Sequence, residues 1–382
     1  MRNLFIIIII SLYCITNLNA QVKFSIKGKI KGISSKTGIY SIPDDSAKYG
    51  RKRVSFDINN EKLNYKGELK ETQVLRIVFN NNKLNKGLKS GGWIPSKVNS
   101  LWVVVSPDVK IIIRGNASDY VNAYPTGDKE NLILTELTSS IFPLENEAVN
   151  LYVKTLDNKT DPSVKLWKKK MNSLYSKISK IKFDFLSKNA NSIAGLWLMD
   201  DMVIRRQIAI EKVASLFKNV SSKYKNLSYY KNLESRISGY YATQIGKIVP
   251  NIISSDTNDG STFNLESLRG KYVLLDFWGT WCGPCVSGMA DMKAFRDKHK
   301  DVFQIVGIAN DSNIKGWKNL IINKKLNWPH FRSIKNKNDL VAKFNIQGYP
   351  TKILIAPNGK ILMRSVGENS GFYDKLEEVI TK

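Results

Sequence analysis

The residues of this sequence that are best suited to chemistry are two cysteines separated by two residues, Cys282 and Cys285. They follow an apolar segment with the pattern of a strand, and they open a predicted helix. At a helix N-terminus, unpaired N–H groups and the helix dipole favour thiolate over thiol, and the thiolate attacks disulfides. The spacing therefore predicts thiol–disulfide exchange, in which Cys282 attacks a substrate disulfide and Cys285, one turn on, resolves the mixed disulfide.

A zinc site is the alternative use of such a cysteine pair, and it needs two further Cys or His ligands. Beyond Cys14 near the N-terminus, the chain offers only His299 and His330, which lie outside any paired spacing. A bridge between Cys282 and Cys285 would also close too short a loop to stabilise a fold. We therefore expect a reactive pair rather than a structural one, with no metal and no cofactor.

Asp276 lies in an otherwise apolar predicted strand, six residues before Cys282. A buried carboxylate costs free energy unless it has a partner or a task, and burial raises its pKa. We expect Asp276 to take the proton of Cys285, through a water molecule, when Cys285 attacks the mixed disulfide. The alternative is a structural aspartate that is hydrogen-bonded to the backbone.

These residues lie in a region, 249–382, where strand and helix patterns alternate. Such alternation predicts an α/β domain around a mixed sheet. The predicted strands are 272–277, 303–309, 351–356 and 360–366, and the predicted helices are 285–299, 313–324, 336–344 and 371–380.

The first part of the chain, residues 21–128, has the pattern of short strands. Apolar and polar residues alternate with a period of two, and turn signals separate the segments. Several such strands predict a small β-sandwich. We find no cluster of titratable residues in this region.

Residues 129–248 have the pattern of a helical connector. Asp161-Pro162 predicts the start of a helix, and from Val164 to Phe185 apolar residues recur at spacings of three and four. This stripe packs either against neighbouring helices of the same chain or, in the alternative, against a second copy, forming a homodimer through residues 163–186. Further helices are predicted within 192–217 and 223–245.

The N-terminus has the pattern of a signal peptide. A short positive start precedes about twelve apolar residues, well short of the roughly 20 that span a bilayer. We predict that residues 1–20 are removed by cleavage after Ala20, which implies export to the periplasm or cell envelope. The alternative is an uncleaved membrane anchor.

The chain is strongly basic, with 59 Lys and Arg against 33 Asp and Glu and a formal net charge of +26. Such a charge can attract nucleic acid. However, the basic residues are spread along the chain without a compact block or a nucleic-acid motif, so we expect no nucleic-acid partner. A hydrophobic content of 42% excludes wholesale disorder.

The segment from Phe277 to Cys285, FWGTWCGPC, resembles the active-site segment of thioredoxin-fold proteins, in particular the exported TlpA/ResA-like thiol–disulfide oxidoreductases. Segments 256–271, 348–351 and 357–360 resemble, in order, the entry region, the cis-proline loop and the terminal hairpin of that family. The resemblance covers residues 250–382. Residues 22–245 more loosely resemble the β-rich and helical regions that precede thioredoxin modules in some envelope proteins.

The resemblance implies a cis peptide bond at Pro350, with the backbone of Tyr349 pairing with an extended substrate segment beside Cys282. An ordinary trans turn is the alternative at Pro350. The substrate-binding residues that the resemblance implies are Trp281, Gly283, Pro284, Tyr349, Pro350 and Thr351. Cytochrome-maturation members of the family often carry a Glu three residues after the second cysteine, where this chain has Gly288. That departure argues against a dedicated role in cytochrome c assembly.

The function expected is that of an exported reductant acting on disulfide-containing envelope proteins. The Gly-Pro dipeptide between the cysteines resembles that of thioredoxin, whose potential is about −270 mV. A reductant in an oxidising compartment must be recharged, so we expect a membrane thiol donor of the DsbD or CcdA type. The alternatives are an oxidant or isomerase of envelope disulfides, and an envelope binding protein whose redox module is regulatory. A peroxidase is disfavoured because its Pro-x-x-x-Thr segment is missing.

Overall fold

The computed structural model describes residues 21–43, 51–334, 338–369 and 371–381. The predicted signal peptide lies outside these residues. Along the chain the structure forms an eight-stranded sheet, a set of helices and an α/β domain. Among the residues described, no helix is long and apolar enough to cross a membrane.

The N-terminal region is built from antiparallel hairpins and one parallel strand pair. Its strands are β1 (Val22–Lys31), β2 (Thr37–Pro43), β3 (Arg51–Asn59), β4 (Lys62–Leu69), β5 (Gln73–Phe79), β6 (Lys86–Gly87), β7 (Trp93–Ile94), β8 (Ser100–Val105), β9 (Val109–Ala117) and β10 (Val121–Thr126). Eight of them form one sheet in the order β10-β9-β1-β4-β3-β2-β5-β8, with β1 parallel to β9. The short strands β6 and β7 pair separately.

The predicted β-sandwich is therefore wrong, because a single sheet curls into a near-barrel. Its edge strands β8 and β10 lie side by side without pairing, and its inner face encloses one apolar core that includes Ile26, Ile77 and Val103. Alternation along a strand indicates which face is buried, but it does not indicate which strands are neighbours. A sandwich and a barrel thus share the same local pattern.

The edge of β8 is closed by a side chain of the first helix rather than by a strand. Asn131 is fully buried; its Oδ1 accepts from the Val104 N–H and its Nδ2 donates to the Val104 carbonyl, both at 2.8 Å. Both backbone groups of Val104 are thereby satisfied at an edge that β10 does not reach. This contact fixes the helical region to the sheet.

The helical region contains five α-helices. They are α1 (Lys129–Asp157), α2 (Val164–Asn189), α3 (Ile193–Ile204), α4 (Ile210–Phe217) and α5 (Ser228–Ala242). The predicted helix start at Asp161-Pro162 is two residues too early, because α2 begins at Val164 with Ser163 as its N-cap residue. Asp161 accepts from the Ser163 N–H in a turn that precedes α2. The apolar stripe of α2 is buried: Ile178 and Phe185 belong to a core shared with α1 and α3, and Leu174 is also buried.

The C-terminal region has the α/β architecture that the sequence predicts. Its elements are β11 (Ile253–Ser254), β12 (Phe263–Asn264), β13 (Tyr272–Trp278), α6 (Gly283–Ser287), α7 (Met289–Lys298), β14 (Phe303–Ala309), α8 (Ile314–Asn323), β15 (His330–Arg332), α9 (Leu340–Lys343), β16 (Thr351–Ile355), β17 (Ile361–Val366) and α10 (Phe372–Ile380). The five-stranded sheet has the order β15-β14-β13-β16-β17, with β13 at its centre. Separate apolar cores cover its two faces.

The described part of this region differs from the prediction at several points. The helix predicted over 336–344 is observed as α9 (Leu340–Lys343). The single helix expected over 285–299 is divided at Gly288 into α6 and α7. Strand β15 was not predicted, because three residues are too few to show a period. The predicted strands at 272–277, 303–309 and 351–356 are confirmed to within one residue at their ends.

Helix α5 packs closely against α9 of the C-terminal domain. A Cβ atom placed on Gly239 would overlap with the carbonyl oxygen of Lys343. Arg236, one turn earlier and only 6% exposed, donates to the carbonyl oxygen of Ile346 at 3.1 Å. The helical region and the C-terminal domain therefore share a fitted interface.

We predict that Gly239→Ala lowers the free energy of unfolding by about 1–3 kcal/mol, because the added methyl group overpacks the contact with Lys343. The sign is diagnostic, since Gly→Ala inside a helix ordinarily stabilises by about 1 kcal/mol. Chemical denaturation of the full chain measures the effect. Ser238→Ala, at an exposed neighbouring position, is the control. A stabilised Gly239→Ala variant would contradict the prediction.

Candidate active site

Cys282 and Cys285 lie just after β13, at the start of the helix layer, where they form a disulfide. Cys282 is the N-cap residue of α6, and its Sγ accepts from the N–H of Cys285 at 3.2 Å. Both cysteines are buried, with exposed fractions of 5% and 3%. The helix start thus directs a backbone donor at the first sulfur, which suits a sulfur that must carry negative charge during exchange.

The segment between the two cysteines is exposed at Gly283. A Cβ atom on Gly283 would meet no other atom within 4 Å, so this position faces free space. Pro284 occupies the first turn of α6, where its missing N–H removes no helix hydrogen bond. Its carbonyl oxygen accepts from the N–H of Gly288. Gly283 therefore adds no side chain that would crowd the surface between the two cysteines.

Trp281 forms an exposed aromatic wall beside the disulfide. It is 59% exposed, yet its Nε1 donates to the Asn310 carbonyl oxygen at 2.9 Å. Its ring meets the ring of Tyr349 edge-to-face, with centroids 5.0 Å apart. Asn310 also donates from Nδ2 to the Tyr349 hydroxyl at 2.8 Å. Sequence analysis missed Asn310, which lies in a loop without a local signal.

The loop before β16 has the geometry that the resemblance implies. The Tyr349–Pro350 peptide bond is cis. The hydroxyl of Thr351 donates to the carbonyl oxygen of Gly348 at 2.7 Å, and the Pro350 carbonyl accepts from Gly367. Among the residues described, the backbone N–H and C=O of Tyr349 have no hydrogen-bond partner. The loop thus offers one free donor and one free acceptor.

Asp276 is buried at the centre of the sheet, with 3% of its surface exposed. Successive strand side chains point to opposite faces. Leu274 and Trp278, two residues to either side, belong to the core that contains both cysteines, so Asp276 points to the face of the disulfide. Its Oδ1 has no hydrogen-bond partner among the described residues. Desolvation raises the pKa of Asp276 to about 7, and Glu368 adds to this rise while Lys352 opposes it.

Lys352 and Glu368 are charged neighbours of Asp276 that sequence analysis missed. Lys352 is the cross-strand partner of Asp276 on β16, and its Nζ lies 2.7 Å from Glu368 Oε1. Like Asp276, Lys352 is a charged residue inside an otherwise apolar strand, so sequence analysis could have singled it out. Glu368 lies in the loop after β17 and has no such signal.

The two histidines lie apart from the cysteine pair. His299 is hydrogen-bonded to Glu377 at 2.8 Å. His330 is buried, and desolvation lowers its pKa to about 3, so the ring is neutral. Across residues 21–43, 51–334, 338–369 and 371–381, no group of three Cys, His, Asp or Glu side chains is arranged to hold a metal ion.

Residues 270–361 match the thioredoxin-like family model Thioredoxin_8. The chain is 32% identical over 128 residues to a thiol-disulfide oxidoreductase ResA of Bacillus cereus, covering 33% of this chain and 72% of that protein. It is 31% identical over 119 residues to ResA of Bacillus subtilis, covering 31% of this chain and 64% of that protein.

Among solved structures, the thioredoxin domain of a thiol-disulfide oxidoreductase from Bacteroides vulgatus is 28% identical, with a TM-score of 0.33; the match covers 36% of this chain and 98% of that domain. A thiol:disulfide interchange protein DsbE from Chlorobium tepidum is 27% identical, with a TM-score of 0.33, over 36% and 96% of the two chains. The identity to ResA and the Cys282–Cys285 pair fall in the same region. The chain therefore belongs to the ResA/TlpA-like thiol–disulfide oxidoreductases, whose thioredoxin-like domain forms its C-terminal third behind a large N-terminal extension.

Proposed function

We propose that the protein is exported and reduces disulfides in envelope proteins through the Cys282/Cys285 dithiol. The observation that carries this proposal is the disulfide at the start of α6, with the exposed Gly283 between its two cysteines. The unpaired backbone of Tyr349 supports an extended polypeptide as substrate, because it can pair with one more strand. The positive start and short apolar run at the N-terminus support export.

Two exchange steps complete the reduction. The Cys282 thiolate attacks one sulfur of the substrate disulfide, so a Cys282–substrate bond forms and the other substrate sulfur leaves as a thiolate that takes a proton. Cys285 then gives its proton to Asp276 and attacks Cys282 Sγ. The Cys282–Cys285 bond forms, the second substrate sulfur leaves as a thiolate that takes a proton, and Asp276 returns its proton to solvent, so the substrate has gained two electrons and two protons.

The oxidised protein must then be returned to the dithiol form. A membrane thiol donor of the DsbD or CcdA type is the partner that this redox cycle requires in an oxidising compartment. The Gly283-Pro284 dipeptide supports electron flow toward the substrate because it is shared with thioredoxin. An oxidant would use the same residues with electrons flowing the other way, and an isomerase would use them with no net transfer of electrons.

We predict a reduction potential near or below about −250 mV for the Cys282–Cys285 pair, as expected of a thioredoxin-like reductant. Equilibration of the full mature chain with a dithiothreitol series, read by alkylation of free thiols, measures it. A value above about −150 mV would replace the reductant by an oxidant or isomerase and would require an oxidising partner.

Asp276 is the proposed base of the second step. Because its pKa is raised to about 7, it is a carboxylate above that pH and can accept the Cys285 proton there. The resolving step is therefore expected to accelerate as pH rises through 7. We predict that Asp276→Asn removes this rise and slows resolution by about 100-fold at pH 8, the size of a general-base contribution.

Stopped-flow release of the second thiol from a mixed disulfide measures resolution, and Asp301→Asn, at an exposed turn, is the control. Stability gives a second readout. A carboxyl whose pKa is raised by folding destabilises the folded state as pH rises from its unfolded value through 7. Asp276→Asn should therefore flatten the fall in unfolding free energy over that range. An unchanged pH profile would remove Asp276 from the mechanism.

The N-terminal extension is proposed to take part in recruiting protein substrates. Arg206, in the loop between α3 and α4, donates from Nε to the carbonyl oxygen of Gln347 at 2.8 Å. Its guanidinium group covers Gly348, where a Cβ atom would overlap with Nη2. The helical region thus contacts the loop that precedes Pro350. This contact supports a role for residues 21–248 in positioning substrates that pair with Tyr349.

We predict that Arg206→Ala lowers kcat/KM for a protein disulfide roughly tenfold, because losing a charged hydrogen bond loosens the loop by about 1.5–3 kcal/mol. Bis(2-hydroxyethyl) disulfide, which has no peptide group to pair with Tyr349, should be reduced at the wild-type rate. Lys212→Ala, on the exposed face of α4, is the control. Equal losses with both substrates would show that the contact does not serve recruitment.

A further inference from the structure

A buried ion pair lies beside Asp276 that the exchange mechanism does not use. Lys352 faces Asp276 from the neighbouring strand β16, and directly opposed residues of antiparallel strands point to the same side. The side chain of Lys352 is 3% exposed and that of Glu368 is 30% exposed. The pair therefore reaches from the interior around Asp276 to the protein surface.

Glu368 lies against the helix layer that carries the cysteines. A Cβ atom on Gly288, the residue between α6 and α7, would be 2.6 Å from Glu368 Oε1. Any side chain at position 288 would displace this carboxylate. The absence of a side chain there allows Glu368 to approach both the Cys285 helix and the ammonium group of Lys352.

The Lys352 ammonium group lies near two carboxylates, those of Glu368 and Asp276, and it forms an ion pair only with that of Glu368. Its Nζ lies 2.7 Å from Glu368, whereas no hydrogen bond joins it to Asp276, whose Oδ1 is unpaired among the described residues. A buried aspartate that is bonded to a lysine is held as a carboxylate. Such a carboxylate is a poor proton acceptor for a thiol, because it has little affinity for the proton.

We propose that Glu368 is a positioning residue for the resolving step: it holds Lys352 away from Asp276, so that Asp276 can take and release a proton in the neutral pH range. This inference rests on the proposed role of Asp276 as the base for Cys285. Glu368 acts through Lys352 and Asp276 and does not touch the reacting sulfur atoms.

The other titratable groups around Asp276 do not supply this effect. Burial raises the pKa of Tyr373, so its hydroxyl stays neutral, and His330 is neutral because burial lowers its pKa to about 3. Four titratable groups face Asp276 from the elements packed against it: Cys285 of α6, Lys352 of β16, Glu368 after β17 and Tyr373 of α10. His330 lies beside Gly307, the neighbour of Asp276 on β14. Within the described part of the chain, Lys352 and Glu368 are therefore the charges that set the proton affinity of Asp276.

The test uses two substitutions that should move the pH dependence of resolution in opposite directions. Glu368→Gln removes one negative charge and frees Lys352 for Asp276, so the midpoint should fall by about one pH unit or more. Lys352→Met removes the attraction that favours the carboxylate, so the midpoint should rise by a similar amount. Glu378→Gln, on the exposed face of α10, is the control and should leave the midpoint unchanged.

Stopped-flow measurement with the reduced full chain and 5,5′-dithiobis(2-nitrobenzoate) reports both steps, since each released thiolate absorbs at the same wavelength. In the Lys352→Met background, Glu368→Gln should shift the midpoint less than it does alone. The ammonium group that Glu368→Gln would free to approach Asp276 is then missing. A purely structural role would slow resolution without opposed shifts. Unmoved midpoints in both variants would overturn the inference.

Failure of the proposed function is distinguishable from failure of this inference. If Asp276 is not the base, Asp276→Asn leaves the rise near pH 7 intact, whatever happens at Glu368. If Asp276 is the base but Glu368 does not position Lys352, Asp276→Asn removes the rise while Glu368→Gln does not shift it. Where Lys352→Met lowers stability, Glu368→Gln alone still decides, because its site is partly exposed.

Discussion

The proposed chemistry depends on one buried carboxylate, that of Asp276, in the middle strand of a five-stranded sheet. Removing Asp276 from water costs free energy that no hydrogen bond to its Oδ1 recovers among the residues described. Its two neighbours in the sheet do not supply such a bond. Gly307 on β14 has no side chain, and Lys352 on β16 has a charged group that pairs with Glu368 instead. Burial in the sheet thus keeps Asp276 a weak acid. A more strongly acidic carboxyl group would not accept the proton of Cys285, and an apolar side chain could not act as a base.

The C-terminal domain could be predicted from sequence because its signals are local. Three patterns can each be recognised within a short segment of the chain: a run of apolar residues, two cysteines at helix spacing and an aspartate inside a strand. Asn310 and Glu368 could not be found in this way, since loops far apart in the chain bring them to the site. Lys352 is the intermediate case: its place in an apolar strand was visible, but its partner was not.

In the N-terminal extension, the strands could be predicted from sequence but their arrangement could not. Period-two segments revealed its strands, yet their order in one curled sheet depends on long-range pairing such as that of β1 with β9, for which short segments give no information. The helices that follow are not a spacer. Through Arg206, Arg236 and Gly239 they contact the segment that runs from α9 to Pro350, so the two parts of the molecule share one boundary beside the disulfide.

The contact between Asn131 and Val104 has a consequence for how the molecule meets other polypeptides. An unpaired edge strand is a template on which a second chain can add and start aggregation. At Val104 the amide of Asn131 already occupies the N–H and the C=O, so a visiting chain finds no partner there. The backbone of Tyr349 is left unoccupied within the described part of the chain. The proposed pairing of an extended substrate with Tyr349 therefore has free backbone groups to use, whereas at Val104 the sheet edge is closed to such a chain.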